Sequence, residues 1–183
     1  FSPTFMRNAT AFGFSPRMRF DIVVNNLTGY ACVDNEIKIL GDGKPWRPLV
    51  HVKDICKAFL NVLESPIEKI HNQAFNVGNN NENYQIKAIA GHVKKYFNCK
   101  ISIAKKDAGD TRNYNVSFDK IEDLLNFCID FNLDKGILEL QTIYNEIDLD
   151  NKAFNNKYYT RLKHINYLIS NNFIDKDLRW TKN

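Results

Sequence analysis

Between residues 41 and 64 the apolar side chains change from a spacing of two to the spacing of one helical stripe. Leu49, Val50 and Val52 form the apolar run of an extended segment in which Arg47, Leu49 and His51 share one face. Asp42-Gly43, followed by Pro45, marks the turn before it. Asp54 is placed to cap a helix carrying Ile55, Ala58, Phe59, Val62 and Leu63 on a single stripe. Upstream, Phe5-Met6-Arg7 reads as a short strand, Asn8 to Gly13 as a loop, Phe20 to Ala31 as a largely apolar helix, and Ile37 to Leu40 as a strand. Downstream, Ser65-Pro66 is a break and Ala74 to Val77 a strand. Asn79 to Asn83 is a polar turn whose last residue caps a helix with Ile86, Ile89, Ala90, Val93 and Phe97 inward. Ile101 to Ala104 predicts another strand. Asp119 with Glu122 has the spacing of a capping box for a helix burying Ile121, Leu124, Leu125 and Cys128. Leu133 to Ile147 is a helix with Ile137, Leu140, Tyr144 and Ile147 on one side. A polar linker, 148–156, leads to a last amphipathic helix marked by Tyr158, Leu162, Ile165 and Ile169.

Composition narrows the class. The 183 residues, 44% hydrophobic and 25% charged, suffice for one core and part of another. The net charge of +4 is mild, and its cations are interspersed with acids, which argues against a nucleic-acid binder. No apolar run approaches the ~20 residues of a membrane span. Cys32, Cys56, Cys99 and Cys128 are far apart and lack the spacing of a metal site, so buried free thiols in a reducing cytoplasm are expected. The N-x-[ST] triplets at Asn8, Asn26 and Asn115 are read as chance in an asparagine-rich chain. Phe1 is not an initiator methionine, and the chain reads as the continuation of something longer. Arg47 is the leading candidate for chemistry, because a guanidinium fork donates two parallel hydrogen bonds to phosphate and keeps its charge. From spacing alone the commoner reading is an arginine on a strand edge, held structurally by a carboxylate or by water.

The turn G-D-G followed by R-x-x-x-H-V-x-D opening a helix, here Gly41 to Asp54, resembles the substrate half of the extended short-chain dehydrogenase/reductases. These are the NAD(P)-dependent nucleotide-sugar epimerases and dehydratases. The order of other segments agrees. Arg7 to Gly13 is similar to a strand-and-loop R-x-x-N-x-x-G, with Thr10 in the asparagine's place. Asn26-Leu27 matches an N-N-L-type segment, Phe75 to Gly78 an F-N-[IV]-G strand that closes the small domain's sheet, and Asp110 to Ile121 a D-x-R-x-Y/F segment. The resemblance runs from about Phe1 to Ile147. It implies an α/β fold: the C-terminal part of a Rossmann-type enzyme, mainly its small substrate-binding domain. Residues 1–147 would interleave the end of the dinucleotide-binding fold with that domain, and 148–183 would be a helical appendage.

The same resemblance implies the site. Arg47 and Arg112 would clamp the diphosphate of a nucleotide sugar. Asn26, with Leu27 beside it, would contact the nucleotide diphosphate and help orient nucleotide and sugar, and the strand ending at Leu40 would run alongside the base. The loop of Thr10 and Gly13 would lie beside the nicotinamide of NAD or NADP and the sugar, with Thr10 at the position that touches substrate. The reaction implied is hydride abstraction from a sugar carbon, giving a keto intermediate, and hydride return, the work of an isomerase or lyase. Two motifs of that chemistry do not occur: the glycines never form G-x-x-G-x-x-G, and the Tyr-x-x-x-Lys strings Tyr96–Lys100 and Tyr159–Lys163 lack its context. The first straddles a helix end; the second could share a helical face. No catalytic residue is therefore assigned, and the chain by itself is expected to be an inactive fragment, marginally stable through apolar surface along Phe5 to Arg7. The alternative is a binding module that keeps the nucleotide-sugar site without catalysis. The expected partner is a nucleotide-diphosphate sugar, with neither nucleic acid nor membrane, in the cytoplasm. A homodimer of the full-length protein would have its interface largely outside this chain.

Overall fold

The computed structural model describes residues 1–104 and 112–181. Its elements run β1 (Thr4–Asn8), β2 (Thr10–Phe12), α1 (Val23–Val33), β3 (Glu36–Leu40), β4 (Trp46–His51), α2 (Val52–Glu64), α3 (Ile67–Ile70) and β5 (Gln73–Val77). A 3₁₀ turn (Asn80–Glu82), β6 (Asn83–Gln85), α4 (Ile86–Tyr96) and β7 (Lys100–Ala104) follow. Beyond residues 112–118, which form neither helix nor strand, come α5 (Asp119–Leu125), α6 (Leu133–Glu146), α7 (Asn151–Phe154), a second 3₁₀ turn (Lys157–Tyr159) and α8 (Arg161–Ser170). Parallel pairs dominate: β1 with β5, β2 with β4, and β3 with β7. β6 joins β4 antiparallel, Arg47 opposite Tyr84. Parallel neighbours need long crossovers, and helices supply them here.

Two apolar clusters form around this frame. The first gathers Phe12, Phe20, Val24, Leu27, Ile37, Ile39 and Leu49 with α4 and α6, and it includes Leu149 and Phe154 from the C-terminal segment. The second joins Val50, Ala58, Val62, Phe75 and Val77 to Phe118, Ile121, Leu125 and Phe127. β4 serves both, because successive side chains point to opposite faces: Leu49 enters the first cluster and Val50 the second. All of Arg47 to His51 is therefore buried, as befits a strand covered on both faces.

Local signals and structure part at several points. The expected 8–13 loop contains strand β2, drawn into pairing by Leu49 to His51. Helix α1 starts at Val23 rather than Phe20. Asp54 does not cap α2. His51 does, accepting from the Lys53 N–H, while both Asp54 oxygens accept backbone N–H groups of Asp130 and Phe131 at 2.8 and 3.1 Å. Asp119 likewise follows the cap, Phe118, and its carboxylate bonds Ser117 and Asn80. Asn83 does not cap α4, which follows Gln85; its side chain bonds Val116. In each case a partner distant in sequence outcompeted the local cap. The strand at Phe75 pairs in parallel with β1.

Apolar stripes were also trimmed. Phe59, Leu63, Leu124, Ile147 and Leu162 are exposed, and α8 buries no side chain. Only Cys99 is buried among the thiols, with Cys56 and Cys128 exposed. The 148–156 linker contains α7 and the buried Phe154. Lys120 donates to Gln73 and lies over the Phe75 ring. Tyr96 ends α4 and Lys100 opens β7, as expected, whereas Tyr159 belongs to the 3₁₀ turn and shares no helix with Lys163.

Candidate functional site

A cavity of about 850 Å³ opens between α1, β3, β4 and the chain at 112–114. The second residue of β4, Arg47, forms part of its wall and is only 7% exposed. Its Nη1 donates to the Trp46 carbonyl at 2.8 Å and to the Arg112 carbonyl, and its Cζ lies 5.6 Å from the Tyr114 ring centroid. Two backbone carbonyls and an aromatic face thus hold the fork at the cavity. Arg112 and Tyr114 line the same space. The first residues of their expected segment, Asp110 and Thr111, lie outside the described residues.

Segment 112–118 has no strand ladder; asparagine side chains take the ladder's place. The Asn83 amide brackets Val116, accepting its N–H and donating to its carbonyl, both at 3.1 Å. Asn80 accepts the Phe118 N–H at 2.9 Å, Asn76 donates to the Ser117 carbonyl at 3.1 Å, and Asn113 accepts the Trp46 N–H at 3.0 Å. Sequence reading missed these residues as a set. The signal was present in the clustering of asparagine from 76 to 83, which reads as turn chemistry until a second segment is laid beside it.

Helix α1 forms the opposite wall. Asn26 donates its side-chain N–H to the Phe20 carbonyl at 2.8 Å and lines the cavity with Leu27, Val23 and Tyr30. Its neighbour Asn25 is 1% exposed, with Oδ1 accepting the Gly13 N–H (3.0 Å) and Nδ2 donating to the Gly13 and Arg19 carbonyls (3.2 and 3.0 Å). Thr10 opens β2 at the cavity's edge, and Leu40, 52% exposed, sits on its rim. One cavity therefore brings together Thr10, Asn26, Leu27, Leu40, Arg47 and Arg112.

Gly13 lies elsewhere. Its φ is +98°, and a Cβ there would fall 2.1 Å from His51 Nε2, so glycine is required by turn and contact together. His51 is fully buried, stacked on Phe131 (4.2 Å, 11°) with the Phe12 ring at its edge. Its Nδ1 accepts the Lys53 N–H, so Nε2 carries the proton and donates to Glu139 at 2.8 Å. Burial lowers the His51 pKa, outweighing Glu139, which pulls the other way. Burial opposes ionisation of Glu139 too, but Lys53 and His51 prevail and hold it below the usual carboxylate range. This cluster ties β4 to α6 and forms no part of the cavity wall. Glu82, in the first 3₁₀ turn, accepts the Leu133 N–H at 2.9 Å, and burial pushes its carboxyl up to about 7. No group of His, Cys, Asp and Glu among the described residues is arranged to hold a metal ion, and no described helix is long and apolar enough to cross a membrane.

Residues 1–78 match the model of the NAD dependent epimerase/dehydratase family. Among solved structures, the chain is similar to UDP-glucuronic acid 4-epimerase from Bacillus cereus, in complex with UDP-glucuronic acid and NAD, at 21% identity and a TM-score of 0.63. That match covers 77% of this chain and 46% of the other. UDP-glucose 4-epimerase from Thermotoga maritima, with UDP-glucose, matches at 20% identity and 0.65, over 79% and 46%. dTDP-glucose 4,6-dehydratase from Bacillus anthracis, in complex with NAD, matches at 18% and 0.59, over 80% and 44%. The chain thus spans less than half the length of these three. Its α/β structure with parallel strand pairs has the Rossmann-type fold of these epimerases and dehydratases.

Proposed function

We propose that this chain is the substrate-binding part of an NAD(P)-dependent nucleotide-sugar epimerase or dehydratase. One observation carries the reading: a cavity gathers Arg47 and Arg112 with Thr10, Asn26, Leu27 and Leu40 from distant segments of the chain. In this reading the diphosphate lies against Arg47 and Arg112, the base against the Ile39–Leu40 edge, and the sugar near Asn26 and Thr10. Binding the nucleotide end would position the sugar for reaction.

The described helices α1, α2 and α4 begin after Ile22, His51 and Gln85, without a glycine-rich turn to receive a dinucleotide pyrophosphate. NAD or NADP, which supplies the hydride acceptor, is accordingly assigned to the remainder of a longer protein. Thr10 is the contact this chain offers it. Gly13, which lies off the cavity, supports that contact by shaping the loop over His51. Apolar Phe5, Phe59 and Leu63, each about half exposed or more, would be covered by the same remainder. The full protein is placed in the cytoplasm, and this chain alone is inactive.

The test is calorimetric titration of the chain with UDP-glucuronic acid, UDP-glucose and dTDP-glucose. Saturable binding of at least one is expected, weakened about tenfold to a hundredfold by Arg47→Ala, the loss of one charged hydrogen-bonding group from phosphate. Absence of binding by all three, or binding indifferent to Arg47→Ala, overturns the reading.

A further inference from the structure

The wall of the cavity formed by residues 21–30 is held from behind by the C-terminal segment. Phe154, 3% exposed, lies so close to α1 that a Cβ on Gly29 would fall 2.1 Å from its ring. The same ring has the Phe20 and Tyr30 centroids each at 4.9 Å, and Tyr30 also lines the cavity. Two hydrogen bonds flank this contact. Asn151 donates to Asp34, the C-cap of α1, at 2.8 Å, and the Phe20 N–H donates to the Tyr159 carbonyl at 3.0 Å. Asp150 fixes the short helix that presents Phe154, accepting the Ala153 N–H at 2.7 Å. Phe20 is the junction: its N–H is held by the C-terminal segment, its ring by Phe154, and its carbonyl accepts the Asn26 amide that faces the cavity.

We infer that Phe154 is a positioning residue for the ligand of this cavity, setting α1 so that Asn26 and Tyr30 stand where the nucleotide sugar meets them. The inference rests on the reading of the cavity as a nucleotide-sugar site. A flat ring wedged against a glycine backbone fixes the distance between α7 and α1. Removing the wedge lets α1 move away from the cavity while the β3–β4 side stays in place. Residues 148–160 thereby act on binding although none of them lines the cavity.

The experiment uses the full chain, titrated with UDP-glucuronic acid well below its unfolding midpoint, alongside hydrogen exchange without ligand. Phe154→Ala is expected to weaken binding about tenfold, and Phe154→Leu to restore most of the loss. Amides of residues 26–30 should exchange about tenfold faster in Phe154→Ala while those of α4 are unchanged. If Phe154→Ala does not fold, Asn151→Ala, which removes only exposed hydrogen bonds to Asp34 and Asn155, gives the same pattern at smaller amplitude. A lower unfolding midpoint with unchanged affinity and unchanged exchange at 26–30 overturns the inference and leaves plain packing. Should the wild-type chain bind none of the nucleotide sugars named above, the functional reading falls, and the exchange data alone then uphold or overturn the clamp on α1.

Discussion

The two walls of the cavity present comparable chemistry and are built on opposite principles. Helix α1 brings Asn26 to the cavity by burial: Val24, Leu27 and Ala31 are in the first core, and the rings of Tyr144, Phe154 and Tyr159 surround Phe20 and Tyr30. The 112–118 segment brings Arg112 by hydrogen bonding, with asparagine amides from 76, 80 and 83 standing in for a neighbouring strand. A wall held by packing moves only when the core rearranges. One held by partly exposed amide bonds can exchange them with water at small net cost. The two arginines are joined across this divide, since Arg47 on a buried strand donates to the Arg112 carbonyl on the hydrogen-bonded segment.

The contrast can be broken from the packed side first. Phe20→Ala should destabilise the fold by about 3–5 kcal/mol, the usual cost of removing a buried ring, and lower the unfolding midpoint accordingly. A midpoint shift no larger than that of a surface substitution would show that the α1 wall is not held by its core.

Next in size is pH, acting at the base of the other wall. The Glu82 carboxyl, between Asn80 and Asn83, ionises near 4.5 when free and at about 7 when folded. The folded state therefore binds its proton more tightly. This contribution to stability is full below about 4.5 and is lost as pH rises through about 7, a fall of roughly 2–3 kcal/mol. Denaturant titrations across that range should show the slope in the wild type and a flatter line in Glu82→Gln. Identical slopes would remove Glu82 from the account.

Smallest is Asn83→Ala, expected to cost about 1 kcal/mol because its bonds to Val116 are only part-buried. Its signature is a nucleotide-sugar affinity reduced through Arg112 beside a drop in unfolding midpoint of only about 2–4 °C. The reverse pattern would make the asparagine set a stability device instead.

Much of the fold was legible because periodicity survives burial: β3, β4, β5, α4 and α6 lie within a few residues of where the spacing put them. Caps were not, because Asp54, Asn83 and Asp119 all found partners beyond their own helix, and no local rule weighs a neighbour 33 or more residues away. The resemblance placed Arg47, Arg112, Asn26, Leu27, Thr10 and Leu40, and these share a cavity. Gly13, carried over with Thr10, instead answers to His51, a contact visible only once β2 and β4 are paired. Phe154 was hidden for a similar reason. In sequence it is one aromatic residue in a polar stretch, and its importance lies in a glycine 125 positions earlier.

The division of β4 between two cores makes parity a heritable constraint. Leu49 and Val50 face opposite clusters, with Arg47 two residues before the first. An insertion or deletion of one residue inside the strand would exchange the clusters' claims and turn the guanidinium away from its cavity. Length variants arising there should persist only in steps of two, whereas the turn at 41–45 can absorb single steps. In a collection of natural or laboratory variants of this chain, the reading frame of the binding site would show itself as even-numbered gaps.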